Sequence, residues 1–156
     1  IYHDVETRRN SITYRGYMAR LIEKLIIDKE LEKAEEIADL AMEKMPVDIF
    51  GYYSFLESFI GAYYEISAKD KGRNLYKKVN IKYQENLKYY SNFSAENQIK
   101  YIEMIYSDID RYRSLVETMS LYENEEFIKK EMEKFNEFLA LFSIAEIENS
   151  FGYLEK

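Results

Sequence analysis

Apolar residues recur at spacings of three and four along almost the whole chain, the period of an α-helix with one covered face. The first stripe is Tyr14, Met18, Leu21 and Leu25, widened by Ile22 and Ile26. The second is Leu31, Ala34, Ile37/Ala38, Ala41 and Met45, and Pro46 stops it because proline lacks the backbone N–H and disfavours helix before it. Asp28-Lys29-Glu30 is the only break between the two, which predicts a tight helical hairpin. Val47–Gly51 reads as a connector, and Tyr52 to Ile66 as a third helix with Leu56, Phe59, Ile60 and Tyr63 on one face. After a turn at Ser67–Lys71, a fourth helix carries Gly72, Tyr76, Val79, Tyr83, Leu87 and Tyr90. Asn92-Phe93-Ser94 breaks the pattern, with Ser94 as an N-cap whose hydroxyl can accept an orphan backbone N–H. A long fifth helix follows through Ile102, Ile105, Ile109, Tyr112, Val116 and Met119. Asn124 caps a sixth with Ile128, Met132, Phe135, Leu139 and Phe142, and Ile144, Ile147 and Phe151 either extend it or fold back. The last two stripes predict an antiparallel pair packed knobs-into-holes. No stretch alternates long enough to predict a strand.

The expected fold is therefore all-α, about six helices in one domain over residues 1–156. Residues 1–91 form two hairpins and 92–156 the C-terminal helical pair. The hairpins share an offset. Met18 to Leu56 and Ala34 to Gly72 are both 38 residues. Large residues at Met18, Leu21 and Leu25, small ones at Ala34, Ala38 and Ala41, and a terminal Pro46 resemble a degenerate tetratricopeptide repeat, whose usual period is about 34 residues. The Val47–Gly51 connector can hold the excess. Small residues at Ala34 and Gly72 would mark the closest helix crossings.

Composition sharpens this picture. Five Gly and one Pro in 156 residues leave few helix breakers, and 47% hydrophobic residues exclude a disordered chain. The net charge of -7 lacks the basic field of a nucleic-acid binder, so no nucleic-acid partner is expected. The acid excess concentrates in residues 123–156, with 9 acidic against 4 basic residues, and reads as a solvated helix face or as a docking surface for a basic partner. With no Cys, disulfides, thiolate metal sites and cysteine nucleophiles are excluded. The longest uncharged runs, Ile49–Leu56 and Phe138–Ala145, fall far short of the ~20 residues of a spanning helix. The first residue, Ile1, is expected to open an excised piece of a longer protein.

Candidate chemistry is sparse. His3 is the only histidine and, with Asp4 and Glu6, makes a poor metal set, so neither metal nor cofactor is expected. A Ser-His-Asp triad has no internal histidine to use. Glu57 and Glu65 could serve as paired acids only if both entered one cleft. Sixteen tyrosines, among them Tyr52-Tyr53, Tyr63-Tyr64 and Tyr89-Tyr90, either pack between hairpins or point outward to sugars or peptides. Arg8, Arg9, Arg15 and Arg20 form the one basic cluster, open to pairing with Asp4, Glu6 and Glu23 or to an anionic group on a partner. If the first helix of each hairpin lines a concave face, Arg20 and Glu23 face it from the first hairpin, and Glu57 and Tyr64 from the second. These four are the expected partner groove.

Four segments in order carry a wider resemblance. Ile1-Tyr2-His3-Asp4 leads through Arg8/Arg9 and Arg15 to Ala19-Arg20-Leu21, and Lys33-Ala34 runs to Met45-Pro46. Ala62-Tyr63-Tyr64 precedes a short turn, and Leu87-Lys88-Tyr89-Tyr90 leads into Ser94. Together these resemble the C-terminal soluble region of a Bacteroidota family of multi-spanning membrane proteins similar to protein O-mannosyltransferases. The resemblance implies a tetratricopeptide-like appendage on the periplasmic face of the inner membrane, attached to the membrane portion of the same polypeptide. It carries no catalytic residue onto this chain. The expected function is non-catalytic: a helical scaffold that binds a protein or glycan partner or positions substrate for the attached glycosyltransferase-like enzyme. The alternative is a cytoplasmic adaptor or assembly subunit unrelated to sugars.

Overall fold

Helix α1 (Val5–Ile27) ends where Lys29 takes a left-handed backbone, φ 62°, and helix α2 (Leu31–Lys44) starts two residues later. The Glu30 N–H donates to the Leu25 carbonyl at 2.8 Å and the Lys29 N–H to Ile26 at 3.0 Å, the paired bonds of a Schellman turn. Helix α4 (Leu56–Glu65) hands over to helix α5 (Lys69–Ser91) in the same way. There Ser67 has φ 69°, the Ala68 N–H donates to Tyr63 at 2.7 Å, and the Ser67 N–H to Tyr64 at 3.0 Å. Lys29 and Ser67, the ends of α1 and α4, and the starts of α2 and α5 all stand 38 residues apart, the offset read from the apolar pattern.

Residues 5–51 and 55–142 are described by this computed structural model, with the backbone alone at Val5, Arg8 and Arg9. They form eight helices and no strand, so the all-α expectation holds. The number differs from about six because two short pieces were not separable by period. Val47–Gly51, expected as a connector, holds the four-residue helix α3 (Val47–Phe50). The long fifth helix is α6 (Ala95–Lys100) and α7 (Ile102–Met119), parted at Tyr101. Helix α8 (Glu125–Leu139) completes the set. Ser94 and Asn124 cap as expected. The Ser94 hydroxyl accepts from the Asn97 N–H at 3.4 Å, and the Asn124 side-chain oxygen from the Phe127 N–H at 2.9 Å. The expected start of a helix at Tyr52, and Ile144, Ile147 and Phe151, lie outside the described residues.

The chain packs as two compact units, Ile1–Val79 and Asn80–Lys156, the division falling inside α5. In the first unit, α2 buries Ala34, Ala38 and Ala41 completely, and α4 buries Leu56, Phe59 and Ile60. Small side chains let α2 approach both α1 and α4. A Cβ built on Gly72 would stand 2.7 Å from Tyr64 Cε2 and 3.4 Å from the Ile60 carbonyl oxygen, so this residue marks a close approach of α5 to α4.

The second unit is built on α7, which buries Ile102, Ile105, Ile109, Tyr112, Val116 and Met119, the whole expected stripe, against α8. The Tyr112 ring stacks on Tyr83 at 6.2 Å and meets Phe135 edge-on at 5.1 Å. Gln84 Nε2 donates to the Tyr112 hydroxyl and to Asn80 Oδ1, both at 2.9 Å, and Asn80 Nδ2 donates to Glu131 at 2.8 Å. Such a buried polar chain fixes how the helices register, because a slip would orphan its donors.

Candidate functional site

The unexpected feature of the first unit is α1, which is apolar on two faces. Its buried face is Ser11, Arg15 and Ile22, with Met18, Leu25 and Ile26 half-covered. The stripe expected from the sequence began at Tyr14 and ran through Leu21. Instead Tyr14 is 61% exposed, Tyr17 is 61% exposed and Leu21 is 46% exposed. At about 100° per residue, the outward row Asn10, Tyr14, Tyr17, Leu21 and Lys24 lies roughly a third of a turn around the helix from the buried row. Its spacing of 4, 3, 4 and 3 is that of a coiled-coil seam.

Arg15 explains why the core face runs where it does. It is fully buried, and its guanidinium donates from Nη2 to the Met45 carbonyl at 2.7 Å and from Nη1 to the Gly51 carbonyl at 2.9 Å. Met45 and Gly51 are the C-caps of α2 and α3, so the buried cation sits at two negative helix ends. The planar fork reaches both carbonyls at once. The expected surface role of Arg15 in a basic cluster is thereby corrected. Nearby, Gly16 lets the Phe55 ring approach α1, since a Cβ there would stand 3.1 Å from that ring.

The four expected groove residues divide. Arg20 is exposed one turn beyond Tyr17 and rims the outward row. Glu23 is exposed on a different flank of α1. Glu57 and Tyr64 are half-buried, two turns apart on α4. The Tyr64 ring lies against Gly72, which gives it a packing role.

A second polar cluster joins α2, α4 and α5. Asp39 accepts from the Tyr63 hydroxyl at 2.9 Å and from Lys71 Nζ at 2.6 Å, and Lys71 also reaches Glu35 at 2.7 Å. Burial first, then the bond to Asp39, pushes the Tyr63 phenol well above its ordinary range. The hydrogen bonds to Asp39 and Glu35 raise the Lys71 ammonium likewise. In the second unit, burial pushes Tyr112 up to about 12. These groups hold helices together. None of the three shifts brings a group toward neutral pH, where an acid or base catalyst would work.

Among the described residues, no group of three or more His, Asp or Glu is placed to hold a metal ion. No helix there is long and apolar enough to cross a membrane. His3 and Asp4 lie outside the described residues. No family model matches the chain, and neither a curated protein nor a solved structure matches it.

Proposed function

We propose that this domain is a non-catalytic helical interaction module that docks a partner through the outward face of α1. The observation that carries the reading is the double-sided apolar character of α1. A helix with one core face ordinarily turns polar residues to water. Here two tyrosines and a leucine in coiled-coil spacing face out instead. Large amphipathic rings in such a row give contact area at low entropy cost and favour interfaces.

The matched Schellman turns support a tetratricopeptide-like reading of the first unit, in which α1–α2 and α4–α5 are degenerate copies of one hairpin. In helical arrays of that kind each hairpin is covered by a neighbour, and an end that is not covered is polar. The outward face of α1 is not polar, so it is the surface that calls for a partner.

The family resemblance extends the proposal. The module would be the soluble C-terminal part of a glycosyltransferase-like membrane protein, on the periplasmic side, holding a partner or substrate near the membrane portion. Spanning segments upstream of Ile1 in the parent reading frame are the expected observation, and a reading frame without them removes this extension while leaving the docking face intact.

The docking reading is tested by photo-cross-linking in the native host. A benzophenone amino acid at Tyr17 is expected to trap one discrete adduct, and the same label at exposed Leu121 is expected not to. No adduct at Tyr17, or the same adducts at both sites, overturns it.

A further inference from the structure

We infer that α8 is a hinged lid within the second unit: it opens as one piece about the Ser120–Glu123 turn, and a buried polar chain is its latch. Burial separates it from the helix it rests on. Eight of the eighteen residues of α7 are buried. Among the fifteen described residues of α8, Phe135 alone is buried. Phe127, Ile128, Met132, Phe138 and Leu139 are only half-covered. An element with so little fully covered apolar surface opens at a lower free energy than the element beneath it. Its link to α7 is short and exposed, with Leu121 at the surface, and a few such turn residues can absorb a swing of the helix they carry.

The fastenings of α8 meet at one place. The Phe135 ring stands edge-on to Tyr112 at 5.1 Å, and the Phe138 ring meets the same Tyr112 at 6.3 Å. Arg113, the next residue on α7, lies over the Phe135 ring at 5.7 Å. One turn before Phe135, Glu131 accepts from Asn80 Nδ2 at 2.8 Å. Asn80 is tied through Gln84 to the Tyr112 hydroxyl, each bond 2.9 Å. Rings and hydrogen bonds therefore share the Tyr112 hub and are made and broken together. Such coupling gives a closed and an open position rather than gradual fraying. Opening breaks the Asn80–Glu131 bond and uncovers Tyr112, while the bonds of Gln84 to Tyr112 and Asn80 lie within α5 and α7 and stay closed. This conformational device is independent of the α1 docking reading.

Native-state hydrogen exchange on the whole chain, followed residue by residue by NMR, tests it. The amides of Ile128–Phe138 are expected to share one opening equilibrium and to exchange about tenfold or more faster than those of Ile105–Val116 in α7. Glu131→Ala should speed the α8 amides by a further factor of about ten and leave the α7 amides within about threefold, since a bond to a charged acceptor is lost from the lid alone. Alanine is the better helix former, so faster exchange in this variant reports the lost latch and not a weaker helix. Equal protection of α7 and α8 overturns the lid, because the two then open only together. Protection that declines steadily toward Leu139 with no shared opening overturns it as well, in favour of fraying. Unchanged or equally increased exchange in both helices of Glu131→Ala overturns the latch.

Discussion

The ring of Tyr64 occupies the space into which a side chain at Gly72 would project, with Cε2 2.7 Å from the position a Cβ would take. Glycine inside a helix ordinarily costs about 1 kcal/mol against alanine. Here the missing methyl admits a neighbouring ring, and the helical cost is offset by that close contact.

Gly72→Ala is therefore expected to destabilise by about 1 kcal/mol, because overpacking exceeds the gain in helix propensity. In a Tyr64→Ala background the same change should stabilise, by up to ~1 kcal/mol. Urea unfolding of the double-mutant cycle checks this, and a Gly72→Ala that stabilises in both backgrounds contradicts it.

Arg15→Ala removes the only cation described between the C-caps of α2 and α3 and leaves the Met45 and Gly51 carbonyls without their guanidinium donors. The expected loss is about 3 kcal/mol. Arg15→Lys should recover less than half, since an ammonium cannot span both acceptors as a fork does. Full recovery by lysine in chemical denaturation would show that charge alone matters.

The two matched turns make an opposite prediction for glycine. Lys29 and Ser67 hold left-handed backbone that costs L-residues about 1 kcal/mol. Lys29→Gly and Ser67→Gly should each stabilise by about 0.5–1 kcal/mol, additively. A drop in melting temperature for either substitution would mean that its side chain outweighs the relief of the turn.

Alkaline pH should unfold the protein early. The folded state keeps the buried Tyr112 and Tyr63 phenols protonated above their ordinary range. An unfolded chain sheds those protons near pH ~10. The stability they contribute is intact below that pH and falls as pH rises toward about 12, at up to ~1.4 kcal/mol per pH unit for each phenol. Tyr112→Phe should flatten this fall. Identical pH profiles for the parent and Tyr112→Phe would contradict the assignment.

Much of this was legible in the sequence because helices with one apolar stripe leave a simple trace. The Tyr76–Val79 and Ile102–Met119 rows, the Pro46 stop, the Ser94 and Asn124 caps and the 38-residue offset all survive in three dimensions. α1 misled for a physical reason. Tyr14 and Leu21 count as apolar alongside Ile22 and Leu25, so two faces merged into one wide stripe. Arg15, the centre of the true core face, counted as polar and pulled the reading away. The break at Tyr101 was hidden because Ile99, Ile102 and Ile105 keep a helical spacing straight through it. The exposed row of Tyr14, Tyr17 and Leu21 could have been suspected from that excess of apolar width, more than one buried face requires.

Helix α1 buries the face of Arg15 and Ile22 and leaves Tyr14, Tyr17 and Leu21 exposed on another, and stability measurements on the two faces test this most directly. Urea unfolding of Tyr14→Ser/Tyr17→Ser should fall within about 0.5 kcal/mol of the parent, as exposed substitutions do. Ile22→Ser should lose about 3 kcal/mol or more, since that side chain is 1% exposed. Comparable losses in both would place the tyrosine row in the core and contradict the account.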